Sequence, residues 1–198
     1  MPRPSLKEER TGELLDAFMR CVARYGLDGS TLDRISTEAQ VGRPLLRHYL
    51  GNREEMVSAL LSHILEKFGK MTQDMVDDLP TTKRVDALLD YLFSSQNHAP
   101  ENAAVFQALV AASDRYPGIV KRLMGFIEQF EQAILQEILG EYPGADLETC
   151  KAAATGVAAI YFNHDAVLPM NPPAPWRQRS KTAAQMLVGQ VRCSLNLS

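Results

Sequence analysis

Cysteine is scarce in this chain of 198 residues. Cys21, Cys150 and Cys193 are odd in number, far apart and in no CxxC pair. That spacing excludes a disulfide framework and a thiolate zinc site, and it suits a reducing cytoplasm. Long apolar runs are lacking too. No stretch of ~18 uninterrupted apolar residues occurs, which argues against a helical membrane span. The opening MPRPSLKEER has no apolar segment of the secretory kind, so a cytoplasmic location is expected. Charge of one sign is also missing: 21 Lys+Arg stand against 24 Asp+Glu, a formal −3. This balance excludes a protein that coats nucleic acid indiscriminately. Catalytic signatures are absent as well, with no GxSxG, no HExxH, no phosphate-cradling glycine loop and no metal-spaced His/Cys set. His164 and Asp165 invite a general-base reading, but neighbours on a helix point ~100° apart and cannot orient one another. No catalytic residue, metal or cofactor is expected.

What the chain does have is helical periodicity, with 45% apolar residues. Leu14, Leu15, Phe18, Val22 and Tyr25 recur at three- and four-residue spacing until Gly26 and Gly29 interrupt them. Ser30 reads as an N-cap with Asp33 as its capping-box partner, opening a short helix over Thr31–Ala39. A second short helix is predicted over Arg43–Leu50, where Pro44 fits because it lies in the first turn. Gly51 and Asn52 close it, and a longer helix from about 54 to 70 carries Met56, Val57, Leu60, Leu61, Ile64, Leu65 and Phe68. Similar stripes follow to the last helix, predicted from about Pro175 to Leu195. Prolines at 80, 100, 117, 143 and 169–175 fall between them. The fold class is all-α, with roughly nine helices.

Charge is local rather than global. Residues 1–56 hold nine Lys/Arg and nine Asp/Glu, while Ala39–Arg53 holds three arginines, a histidine and no carboxylate. At 100° steps, Leu46 and Leu50 of the second short helix point one way, joined by Val41. Pro44, Leu45 and His48 point the other way, flanked by Arg47 and Tyr49. An apolar Leu45 among cations is odd for a solvated face and suits contact with a thymine methyl. Two short helices joined by a tight turn and braced by a third have the form of a helix-turn-helix.

At STLDRISTEAQVGRPLLRHYLGNREEMVSALL the chain resembles the tetracycline-repressor (TetR) family, over roughly residues 10–60. The family pattern differs here at several positions: Gln40 stands for the turn glycine, Gly42 for the cap serine, Arg47 for a tyrosine, Leu50 for a phenylalanine and Arg53 for a lysine. The resemblance implies a helix-turn-helix DNA-binding domain over 1–53 and a helical ligand-binding and dimerisation domain over 54–198. It implies that Thr31 meets a phosphate at the start of its helix and that Arg43 reads guanine O6 and N7. Pro44, Leu45 and His48 then face base edges, and Arg47, Tyr49 and Arg53 clamp the backbone. The partners implied are double-stranded operator DNA, a second subunit bound through the last two long helices, and an unknown small apolar effector. No membrane partner is expected. Two subunits with about four phosphate contacts each give a log K against log salt slope near −7, on half-sites ~34–36 Å apart.

The segment AAATGVAA, residues 152–159, has side chains small enough for another helix to approach closely. A ligand pocket, also implied by the resemblance, would draw on Phe68, Met71, Met75, Tyr91, Phe106, Phe126, Phe130, Tyr161, Phe162 and His164. The reading is therefore a ligand-responsive transcription regulator, most simply a repressor released from a near-palindromic site. Control by a protein partner, or activation, is the alternative within the class. An all-helical enzyme or a structural helical protein is the alternative outside it.

Overall fold

Nine α-helices and one 3-10 turn make up the described part of the chain. The computed structural model describes residues 6–94 and 99–195. The helices are α1 (Leu6–Gly29), α2 (Leu32–Ala39), α3 (Arg43–Leu50), α4 (Arg53–Asp77), α5 (Arg84–Leu92), α6 (Pro100–Ala111), α7 (Pro117–Glu141), α8 (Leu147–Val167) and α9 (Ala174–Ser194). The 3-10 turn is Leu168–Met170. The all-α expectation holds, as do most boundaries. The helix after Gly51 is longer than expected, running through Gly69 to Asp77 because Met75 continues the buried stripe.

The chain divides into two compact units. The first takes Met1–Phe68 with Glu101–Met124, the second Gly69–Pro100 with Gly125–Ser198. In the first unit α1 packs on α2 and α3. Leu14, Phe18, Val22, Ile35, Leu46, Met56, Leu60 and Ile64 are its fully buried side chains, with Val105, Leu109 and Ile119 from the later segment. Each such side chain contributes about 1.5–3 kcal/mol of burial. Polar ties join its separate stretches. Arg115 pairs with Asp28 at 2.7 Å, and Arg122 donates to the Ser58 carbonyl at 3.2 Å and to Ser62 Oγ at 2.7 Å.

The second unit is built on the α8–α9 pair, with α5 against α9. α9 comes close at Gly156, where a Cβ would meet the tip of the Leu187 side chain and make it shift. The small residues of 152–159 therefore serve a close approach within one chain. Arg84 anchors α5, giving 2.5 and 3.0 Å hydrogen bonds to the Glu137 carboxylate and others to the carbonyls of Val76, Leu79 and Pro80. Asp146 caps α8 by accepting from the Thr149 amide at 2.8 Å.

Candidate DNA-binding surface

The end of α1 sets up everything that follows. Gly26 leaves helical geometry at φ 69°, ψ 173°, so nearby carbonyls lose their intrahelical partners. Side chains from three elements satisfy them. Ser30 Oγ donates to the Gly26 carbonyl at 2.7 Å, and Arg34 donates to Gly29 at 2.7 Å while lying 4.3 Å from the Tyr25 ring centroid. Arg53 donates to Ser30 at 2.9 Å and to Leu27 at 2.5 Å, with its guanidinium over the Phe18 ring.

This corrects the expected cap of α2. Ser30 is not the cap of α2, because its hydroxyl is committed to Gly26. Thr31 takes that place, accepting from the Arg34 amide at 3.4 Å, and α2 starts one residue later than predicted. Arg53, expected as a clamp on the DNA backbone, is half-buried and bound to carbonyls of its own chain.

The turn between α2 and α3 has the left-handed geometry expected where Gln40 stands in place of a glycine. Gln40 occupies the left-handed region at φ 54°, ψ 41°, a conformation costing a non-glycine residue about 1 kcal/mol. Gly42 caps α3 with backbone alone. Leu46 and Leu50 are buried at 0% and 4% exposure and hold α3 from behind. Arg43, Pro44, Leu45, Arg47 and His48 are exposed, with Tyr49 half-buried and edge-on to the His48 ring at 5.2 Å. Leu45 is 38% exposed, as an apolar base contact would need. Gly51, at φ 77°, ends α3 where a Cβ would collide with the Glu55 carboxylate. That carboxylate accepts from the Asn52 amide at 2.7 Å, and Asn52 Oδ1 accepts from the Glu55 amide at 3.0 Å. The reciprocal cap starts α4, and the N-x-x-E pattern at 52–55 could have revealed it.

The cations on this face differ in their surroundings. The Arg47 side chain makes no hydrogen bond or ion pair among the described residues. It lines a depression of about 700 Å³ with Thr31, Arg53 and Met56, and with Asp28, whose carboxylate pairs with Arg115. Arg43 instead pairs with Asp33 of α2, a residue first read as part of a cap. Behind the face, Glu38 of α2 accepts from Arg20 at 2.7 Å and Arg24 at 3.3 Å, tying α2 to α1. The Arg20 hydrogen bond, helped by the Arg24 charge, holds the Glu38 carboxyl below its ordinary value.

No protein-family model matches the chain. The HTH-type transcriptional regulator BetI of Rhizobium meliloti (strain 1021) is 25% identical over 167 residues, covering 82% of this chain and 81% of its own. For BetI of Brucella canis the match spans 63% of each chain, just under two thirds. The crystal structure of a TetR transcription regulator from Haloarcula marismortui superposes with a TM-score of 0.74 over 92% of this chain and 97% of that one, at 17% identity. A TetR-family regulator from Cytophaga hutchinsonii gives 0.75 over 96% and 98%, at 12% identity. The chain has the fold of TetR-family regulators and is similar in sequence to an HTH-type transcriptional regulator. Among the described residues no helix is long and apolar enough to cross a membrane.

The residues expected to line a pocket are split between the two units of the chain. Phe68 and Phe106 lie in the first, and the other eight lie in the second. In the second, Phe130 touches Phe126, Tyr161 and Phe162, with ring centroids 5.4–6.4 Å apart. His164 is buried, stacked on Trp176 at 5.4 Å and edge-on to Phe93 at 5.2 Å. Phe93 and Trp176 were not singled out from the sequence, although both are aromatic residues beside helix ends. Burial, with the Asp165 charge adding to it, pushes the Tyr161 phenol well above its ordinary value. Met75 belongs to the packed core and Met71 is 38% exposed.

Proposed function

We propose that this regulator is a cytoplasmic homodimeric repressor that leaves a near-palindromic operator when a small apolar molecule binds. The observation carrying this reading is the two-sided α3: Leu46 and Leu50 buried behind, Pro44, Leu45, Arg47 and His48 exposed in front. A short helix presented in this way reads only a few base pairs, so selective binding needs two copies. Thr31 and Arg47 share one depression, which supports their roles on a phosphate, and Tyr49 is the third proposed backbone contact. Arg43, Pro44, Leu45 and His48 meet base edges.

Residues 1–53 carry the DNA contacts in this proposal, and 54–198 supply effector binding and dimerisation. Exposed Met186, Ala183, Gln190 and Cys193 on α9, with Ala152, Thr155 and Ala159 on α8, support pairing through those two helices. The effector site is confined to the second unit, around Tyr91, Phe126, Phe130, Tyr161, Phe162 and His164, where rings dominate. An effector that favours misaligned recognition helices by about 1–3 kcal/mol would be ordinary for such a switch. The helix α4 contributes turns to both units and is the proposed lever.

The test is a gel shift of the full chain on its own upstream DNA, comparing wild type with Arg43→Ala plus Arg47→Ala. The double variant is expected to lose the shift while keeping its helical circular dichroism. An undiminished shift would overturn the reading.

A further inference from the structure

The pairing of Arg43 with Asp33 carries a consequence for how the duplex is read. Arg43 is the first residue of α3 and Asp33 lies in the first turn of α2, so the contact joins the two helices of the motif at their N-terminal ends. Both side chains are mostly exposed, at 60% and 62%. A guanidinium bearing a carboxylate is a poor phosphate clamp, because the pair has no net charge and the carboxylate repels the polyanion. As a base reader it loses little. Arginine has five N–H donors in a fixed fork, more than one carboxylate can take, and the Asp33 contact is made at Nη2, so donors remain for guanine O6 and N7. Holding one edge of the fork removes rotamers that would let the side chain swing toward a phosphate. Arg47, one turn along α3, pairs with no carboxylate among the described residues; Asp28, which lines the same depression, is paired with Arg115.

We propose that Asp33 is a specificity-determining positioning residue, which holds the Arg43 fork for guanine and makes its wandering to the DNA backbone unfavourable. This rests on the regulator reading above. It assigns different tasks to two arginines of one short helix: Arg43 selects sequence, Arg47 supplies salt-sensitive affinity.

The experiment uses the full chain and a pool of duplexes with a randomised central segment. Bound duplexes are recovered and sequenced for wild type, Asp33→Asn, Asp33→Ala and Arg43→Ala. Fluorescence anisotropy then measures affinity for the wild-type consensus and for versions with each guanine replaced in turn. The guanine read by Arg43 is the one whose replacement no longer matters in Arg43→Ala. An arginine–guanine fork carries roughly five- to hundredfold discrimination at its position. Asp33→Asn and Asp33→Ala are expected to lower that ratio by about threefold or more at this guanine alone, chiefly by tightening binding to the replaced duplexes. Asp33→Asn keeps a residue that suits a helix start, and its thermal unfolding is expected to match wild type. Both Asp33 variants binding every duplex more tightly by one common factor, with the ratio unchanged, would mean a plain surface ion pair and overturn the inference. A wild-type pool with no enriched sequence would overturn the regulator reading itself and this inference with it.

Discussion

Replacing Arg53 by methionine separates a brace from a DNA clamp. The methionine keeps an unbranched apolar stem over Phe18 but removes both donors to the Ser30 and Leu27 carbonyls. Those residues are buried at 0% and 2% exposure, so the carbonyls have little access to replacement water. Hydrogen bonds to a charged group contribute about 1.5–3 kcal/mol each, and a guanidinium over a ring adds about 0.5–1 kcal/mol. Arg53 itself is only half-buried, and screening lowers the sum to about 2–4 kcal/mol. For a domain of this size that is a fall in Tm of about 4–16 °C, at ~2–4 °C per kcal/mol. Urea unfolding followed by circular dichroism measures the loss directly. The same variant is expected to leave the salt dependence of DNA binding unchanged. Loss of a phosphate contact in each of two subunits would instead flatten the log K against log salt slope by ~1.8. A stability change below about 1 kcal/mol together with such a flattening would refute the brace and restore the clamp.

Two further outcomes follow from the same region. Gly51→Ala is expected to cost about 2–3 kcal/mol, because φ 77° is strained for alanine and the new Cβ displaces the Glu55 carboxylate that caps α4; urea unfolding within about 0.5 kcal/mol of wild type would contradict it. Glu38 has a folded-state pKa below its ordinary 4.5, so its contribution to stability is full above that pH and is lost as pH falls through the lower folded value. The stability gap between wild type and Glu38→Gln should therefore be flat from about pH 6 to 8 and close as acid is added below 4.5; a gap constant down to about pH 3 would refute the assignment.

Much of the recognition unit was legible because its signals are local. Pro44 and Gly51 bracket α3, and the four-residue spacing of Leu46 and Leu50 identifies its rear. Gln40 was flagged as a residue in a glycine's place, and its positive φ bears that out. The proline run at 169–175 marked the end of α8 and the start of α9 for the same reason. What escaped depends on partners far along the chain. Ser30 and Thr31 are both good caps, and only the carbonyl freed at Gly26 decides between them. Arg47 and Arg53 are equivalent as charges in a window, yet one faces solvent and the other faces Leu27 and Ser30. Asp33 lies outside the acid-free window altogether, so the window's count of cations overstates its net charge.

The first unit draws on Glu101–Met124 as well as on the N-terminal residues, through Val105, Leu109 and Ile119 in its core and the ties made by Arg115 and Arg122. A nascent chain released from the ribosome as far as Phe68 thus holds every side chain proposed to contact DNA but lacks part of the support beneath them. At ~5–20 residues per second, the 56 residues from Phe68 to Met124 take about 3–11 s to synthesise. Throughout that interval the recognition helix exists without its finished foundation, and a fragment cut at Phe68 would remain in that state permanently.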